Sequence, residues 1–214
     1  MLVTKQAPDF KAIAVMPDDS FKEISMSDYK GKKVVLFFYP MDFTFVCPTE
    51  IIAFDHRLAE FEKRGVQVLG CSIDSKHTHW AWRNTDVNKG GIGKVKYPII
   101  ADIDKSISRK YDVLIGSQLA YVETADAEGD TTIGGNIALR ASFLIDEEGV
   151  VRHAVINDLP LGRNIDEMLR TIDALTFNQK HGEVCPAGWK DGDKGMAETH
   201  NGVAEYLDKH ASKL

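Results

Sequence analysis

Lys33–Tyr39 (KVVLFFY) is an unbroken apolar, aromatic and β-branched run, the pattern of a strand buried on both faces. After PMDFTFVCPTE the period changes. Ile51, Phe54, Leu58 and Phe61 recur at spacings of three, four and three, which predicts one amphipathic helix from Thr49, closed by Gly65. Val66–Ile73 (VQVLGCSI) predicts a second buried strand, and Lys76–Asn84 a weak helix. Tyr97–Ala101 then predicts a short strand and Lys105–Tyr111 a short helix. Arg140–Asp146 and Val150–Ile156 predict two strands joined at Glu147-Glu148-Gly149, a hairpin turn. Ile165, Met168, Leu169, Ile172 and Leu175 share one face of a predicted helix over Ile165–Phe177. Strands alternating with helices, then a hairpin and a last helix, imply an α/β sandwich around one mixed sheet.

Two regions fall outside this scheme. Gly116–Asn136 is rich in Gly, Thr, Asp and Glu and long for a connection, so it is expected to be an inserted loop or hairpin. Beyond Phe177 the apolar period is lost. The tail holds HGEVCPAGW and ends in one weak helix, Gly202–His210, as expected of an arm laid on another surface.

With 214 residues, 43% hydrophobic and 27% charged, the chain has the composition of a soluble globular protein that needs no disulfide staples. Its net charge of −6 argues against a nucleic-acid or anionic-membrane binder, which would show a basic face. The longest apolar run, Val34–Tyr39, is strand-sized and far short of a membrane span. MLVTKQAPDF has no apolar leader region, so a cytoplasmic location is expected. Ser212-Lys213-Leu214 would be a peroxisomal address in a eukaryote and carries no meaning in a bacterium. The cysteines are Cys47, Cys71 and Cys185, with no CxxC pair. An odd count without a leader fits a reducing compartment, in which a cysteine that matters does chemistry.

Cys47 is the one best placed for it. It sits where a buried strand gives way to a helix, and backbone N–H groups at a helix start favour a thiolate, the reactive form. Pro48 suits an early helix position, where its missing N–H costs nothing. Thr44, one turn earlier, offers a hydroxyl that donates and accepts, and Pro40 offers a rigid wall that sheds water. Cys71, inside VLGCSI, reads as an inert core residue. With His77 and His79 it leaves a metal short of ligands, so no metal and no cofactor are expected. Gly90-Gly91-Ile92-Gly93 lacks the Lys-Ser or Lys-Thr of a phosphate loop and reads as a turn.

The segment DFTFVCPTE, with Pro40 ahead of it, resembles the peroxiredoxin signature of the typical two-cysteine group. FLID at 143–146 after Arg140, NDLPLGR at 157–163 and HGEVCPAGW at 181–189 resemble the same group in the same order. The resemblance implies a thioredoxin-like fold over residues 1–175 and an arm, residues 176–214, that carries a resolving cysteine. Cys47 would be the peroxidatic cysteine, attacking a peroxide oxygen and becoming a sulfenic acid. Cys185 of a partner subunit would condense with that acid to a disulfide. Thr44 and Arg140 would hold the peroxide and the thiolate, and Glu50 and Arg163 would orient Arg140. Ala141 departs from the family pattern, which has glycine after the arginine. Hydrogen peroxide and organic hydroperoxides would be the substrates. A thioredoxin-like protein or a dedicated disulfide reductase would restore the thiols. The assembly implied is a homodimer, and a ring of five dimers. Gly90–Gly93 and Tyr206-Leu207 each differ by one residue from the Gly-Gly-Leu-Gly and Tyr-Phe motifs of peroxide-sensitive members. The alternative is a holdase chaperone, or a relay that passes oxidation to client proteins.

Acidifying the thiol does not by itself account for fast chemistry. A thiol of pKa ~8.5 is about 3% ionised at pH 7, so a pKa of ~6 raises the thiolate roughly 30-fold. Nucleophilicity falls with pKa, and at a Brønsted slope of about 0.45 those ~2.5 units cost roughly 13-fold. The net gain is about two-fold, whereas one donor aimed at transition-state charge is worth about 100- to 1,000-fold. Arg140 and Thr44 are therefore expected to act on the transition state.

Overall fold

In a computed structural model of the chain, the structure describes residues 1–115, 124–125, 131–132 and 136–213. It divides into two compact units, Met1–Arg163 and Asn164–Leu214.

In the first unit the apolar run forms β3 (Lys33–Phe38), buried along its whole length. It is an interior strand of a seven-stranded sheet. The other strands are β1 (Lys11–Val15), β2 (Phe21–Ser25), β4 (Val66–Ser72), β5 (Ile99–Ala101), β8 (Arg140–Ile145) and β9 (Val151–Asn157), in the order β2-β1-β5-β4-β3-β8-β9. β3, β4 and β5 run parallel, and the remaining neighbours pair antiparallel, so the sheet is mixed as expected. Alternate residues of β3 serve two cores. Val34, Leu36 and Phe38 join Phe10, Tyr111 and Phe143 on one side. On the other, Phe37 stacks on Phe54 of α1 (Cys47–His56), with centroids 4.2 Å apart, and Phe54 meets Phe61 of α2 (Leu58–Lys63). α3 (Lys76–Arg83) packs on β1 and β5, and α4 (Ser106–Lys110) follows β5. Glu147–Gly149 turns β8 into β9 with Gly149 at φ 81, as the hairpin pattern requires.

The structure departs from the sequence pattern in three places. The helix expected to run unbroken to Gly65 is interrupted at Arg57 (φ −104, ψ 5). Its guanidinium occupies the Ala53 carbonyl, and its backbone N–H turns to Phe54 instead. The β1–β2 hairpin was not expected; β2 buries only Ile24, so it lacks an alternating signal. The third strand begins at Ile99, because Pro98 cannot donate to a ladder. Within the expected insert, β6 (Thr124–Ala125) pairs antiparallel with β7 (Thr131–Thr132), and the rest of Gly116–Asn136, apart from Asn136, lies outside the described residues.

In the second unit, α5 (Ile165–His181) starts at Asn164, whose side chain accepts from the N–H groups of Asp166 and Glu167. It runs four residues past the apolar pattern to Gly182 (φ 68), and Lys180 and His181 in the last turn complement the helix dipole. α6 (His200–His210) is capped by Thr199.

Candidate active site

The turn from β3 into α1 delivers Cys47 as the first residue of the helix, with Pro48 directly behind it. The sulfur is fully buried. Thr44 Oγ1 lies 2.8 Å from Cys47 Sγ and 2.7 Å from the Met41 carbonyl oxygen. One hydroxyl proton cannot serve both. With a thiol, S–H donates to the hydroxyl, which donates to Met41. With a thiolate, the hydroxyl turns to the sulfur.

From the opposite side come the ends of β8 and of the β9 loop. Arg140, first residue of β8, donates from Nη1 to Cys47 Sγ at 3.2 Å and to Glu50 Oε2 at 2.8 Å. Its Nε is held at 2.6 Å by the Leu159 carbonyl. Ala141 is accommodated within β8 with Arg140 on the sulfur. Glu50, one helical turn after Cys47, is saturated: Oε1 accepts from the Arg163 backbone N–H and Nε, and Oε2 from Arg163 Nη2 and Arg140 Nη1. Arg163 Nη1 also donates to the carbonyls of Phe38 and Ala141, which ties this cluster to β3 and β8.

Arg140, Arg163 and Glu50 are each no more than 9% exposed. Together they carry two positive charges and one negative, and a thiolate at Cys47 makes the cluster neutral. Burial pushes the Glu50 carboxyl up, but the hydrogen bonds and charge of Arg163, with the charge of Arg140, outweigh it and hold Glu50 below the usual carboxylate range. Beside this cluster opens a cavity of about 540 Å³, lined by Pro40, Thr44 and Arg140 and by apolar Phe45, Ile137 and Leu159. Pro40, Thr44, Cys47, Glu50, Arg140 and Arg163 are thus brought together. The backbone acceptors Met41 and Leu159 belong to the site as well; side-chain patterns carry no signal for them.

The sequence matches the models of known families. The model of the AhpC/TSA family matches residues 3–154, and that of the C-terminal domain of 1-Cys peroxiredoxin matches residues 174–209. The chain belongs to the AhpC/TSA family. It is 58% identical to the alkyl hydroperoxide reductase C of Helicobacter pylori strain J99, over all of both chains. It is 48% identical to peroxiredoxin-2 of Mus musculus, covering 97% of this chain and 96% of that one. Among solved structures, the reduced 2-Cys peroxiredoxin of Plasmodium vivax superposes with a TM-score of 0.86 at 46% identity, covering 97% of this chain and 99% of that one. The thioredoxin-like α/β fold expected from the motifs is the fold of this AhpC/TSA member.

Cys185 belongs to the second unit, after α5. It is half-buried, and its thiol donates to the Ala174 carbonyl at 3.4 Å. Burial pushes this thiol up, and the charge of Arg170 offsets only part of that. Trp189, four residues on, is the local anchor: its ring lies 4.9 Å from that of Phe177, and its carbonyl accepts from Arg170 Nη1 at 2.8 Å. Cys71 is buried in β4, and burial, then the charge of Asp102, pushes its thiol well up. His79 is a fully buried residue of α3 and is bonded to Asp42.

Proposed function

We propose that Cys47 is the peroxidatic cysteine of a thiol peroxidase that reduces hydrogen peroxide and small organic hydroperoxides. One observation carries this: a buried sulfur flanked by Thr44 Oγ1 at 2.8 Å and Arg140 Nη1 at 3.2 Å, beside a cavity with an apolar wall. The thiolate attacks the outer peroxide oxygen. An S–O bond forms, the O–O bond breaks, and its electron pair leaves on the other oxygen, which takes a proton to become water or an alcohol. Charge thus moves from sulfur toward the leaving oxygen, along the path that Thr44 and Arg140 flank. Apolar Phe45, Ile137 and Leu159 suit the alkyl group of an organic hydroperoxide.

Cys185 of a partner subunit resolves the sulfenic acid. Its sulfur bonds to Cys47, and water leaves. A dithiol reductant, thioredoxin-like or a dedicated disulfide reductase, is oxidised as it restores both thiols. The arm of residues 176–214 carries Cys185, a homodimer is the working unit, and a ring of five dimers is the full assembly. The pocket that holds the thiolate also shields it from a second sulfur, so the first turn of α1 and the Cys185 segment loosen locally before they join. No helix among the described residues is long and apolar enough to cross a membrane, and we place the enzyme in the cytoplasm. The names carried by its relatives do not favour the holdase or relay reading.

The test is a non-reducing gel after one equivalent of hydrogen peroxide. Wild type is expected to run as a covalent dimer, and Cys47→Ser and Cys185→Ser as monomers. A monomeric wild type with Cys47 oxidised to sulfenic or sulfinic acid would remove Cys185 from the reading.

A further inference from the structure

With its thiol free, Cys185 is held on α5 by a segment folded back along one face of that helix. Arg170, Ala174 and Phe177, at spacings of four and three, form the face, and each takes its own grip. The Ala174 carbonyl accepts from the Cys185 thiol at 3.4 Å, and the Phe177 ring lies 4.9 Å from that of Trp189. Arg170 Nη1 donates to the Trp189 carbonyl at 2.8 Å. Its Nε and Nη2 each lie 2.7 Å from one of the two carboxylate oxygens of Glu167, one turn earlier in α5. Cys185 and Trp189 belong to one closed loop. Val184 and Met196 exchange backbone hydrogen bonds of 2.9 and 3.0 Å across its base. Inside it the Trp189 N–H donates to the Pro186 carbonyl at 3.1 Å, and the indole Nε1 to the Asp193 carbonyl at 3.1 Å. A grip on Trp189 is therefore a grip on Cys185.

The grips differ in kind. The thiol is a weak donor. The guanidinium is a charged one whose orientation is preset by Glu167, so its bond is the strong and directional grip. We propose that Arg170 is a positioning residue for the resolving step: it latches the Cys185 segment onto α5, and its release sets how fast the Cys47 sulfenic acid becomes a disulfide. The inference rests on the peroxidase reading, with Cys185 as the resolving thiol. Its consequence is a competition. A sulfenic acid left waiting attacks a second peroxide: the sulfur takes one oxygen, the O–O bond breaks, water or an alcohol leaves, and a sulfinic acid remains. A tight latch lengthens the time in which peroxide can inactivate the enzyme in this way.

Arg170→Lys separates the latch from the charge. Lysine keeps a positive charge beside Cys185 but lacks the fork that serves Glu167 twice and the Trp189 carbonyl at once. In the full-length variant, peroxide attack at Cys47 is expected to keep its rate. Disulfide formation after one equivalent of hydrogen peroxide, followed by rapid acid quench, is expected to be about two- to tenfold faster than in wild type. The peroxide concentration that converts half of Cys47 to sulfinic acid, in turnover with dithiothreitol, should rise by a similar factor. In the reduced protein, the amides of residues 184–189 should exchange hydrogen faster. Disulfide formation at the wild-type rate or slower, or unchanged exchange in that segment, would overturn the proposal; an arginine needed for its charge alone gives that result. Should Arg170→Lys not fold, Glu167→Gln turns one of the two acceptors of the guanidinium into a donor. It is then expected to shift both readouts in the same direction, and no shift refutes the latch. A wild type that consumes peroxide but forms no Cys185 disulfide overturns the latch together with the resolving role, and one that does not consume peroxide sinks the peroxidase reading itself.

Discussion

Cys47 and Cys185 are the same side chain in opposite surroundings. At Cys47 the neighbours donate to sulfur: Arg140 Nη1 at 3.2 Å and, once the proton has gone, Thr44 Oγ1 at 2.8 Å. At Cys185 the sulfur is itself the donor, to the Ala174 carbonyl, and burial pushes its thiol up. The first environment is built for an anion and the second for a neutral thiol. An anion is wanted where peroxide is attacked. A thiol that stays protonated until its partner sulfur arrives is wanted where unplanned oxidation would waste the enzyme. The contrast comes from the groups packed around each sulfur, since neither cysteine differs chemically from the other.

The largest effect should come from removing what holds the anion site together. Glu50→Ala leaves two buried guanidinium groups without their carboxylate and is expected to cost about 3–5 kcal/mol of stability, read by urea unfolding. The same pairing has a pH signature. The Glu50 pKa in the folded chain lies below its unfolded value, so its stabilisation is fully present above about pH 4.5 and is lost as pH falls through the folded value. Glu50→Gln should lack that slope in acid unfolding curves.

Next in size is the hydroxyl. Thr44→Val removes a donor to the sulfur and is expected to slow peroxide reduction about 100-fold, while Thr44→Ser stays near wild type, both read by stopped flow. At the other cysteine the sign with pH is the opposite of protection by charge. Because its thiol is raised, disulfide formation after one turnover should quicken by up to about tenfold per unit as pH rises toward 9, and rapid acid quench would follow it. A resolution rate flat across that range would erase the distinction drawn between the two sites. The smallest effect is at Cys71, which neither environment includes: Cys71→Ala should leave peroxide turnover unchanged.

How much of this was legible in the sequence follows from where each signal resides. β3 was readable because both its faces are buried, so Lys33–Tyr39 has no polar interruption. Cys47, Thr44 and Pro40 were readable because they share one turn of chain. Arg140, Glu50 and Arg163 were named by motif resemblance alone, since the contacts that unite them span 90 to 113 positions. The Leu159 and Met41 carbonyls left no trace, because any residue supplies a backbone oxygen. The pairing of His79 left no trace for a related reason. In HTHW it offers two ring nitrogens like any histidine, and only the approach of Asp42, 37 residues away, makes it half of a buried pair. The break at Arg57 was hidden because the apolar spacing carries straight across it.

The central claim is that Arg140 works on the transition state more than on the ionisation of the thiol. It is tested by the rate of hydrogen peroxide with reduced wild type and with Arg140→Lys, followed upward in pH until the thiol of both is ionised. Lysine keeps one positive charge but cannot serve the Leu159 carbonyl, Glu50 and Cys47 together. The expected result is a deficit of about 100- to 1,000-fold that persists at the highest pH. Two curves that converge there would contradict the claim and leave Arg140 as a group that merely helps the proton depart.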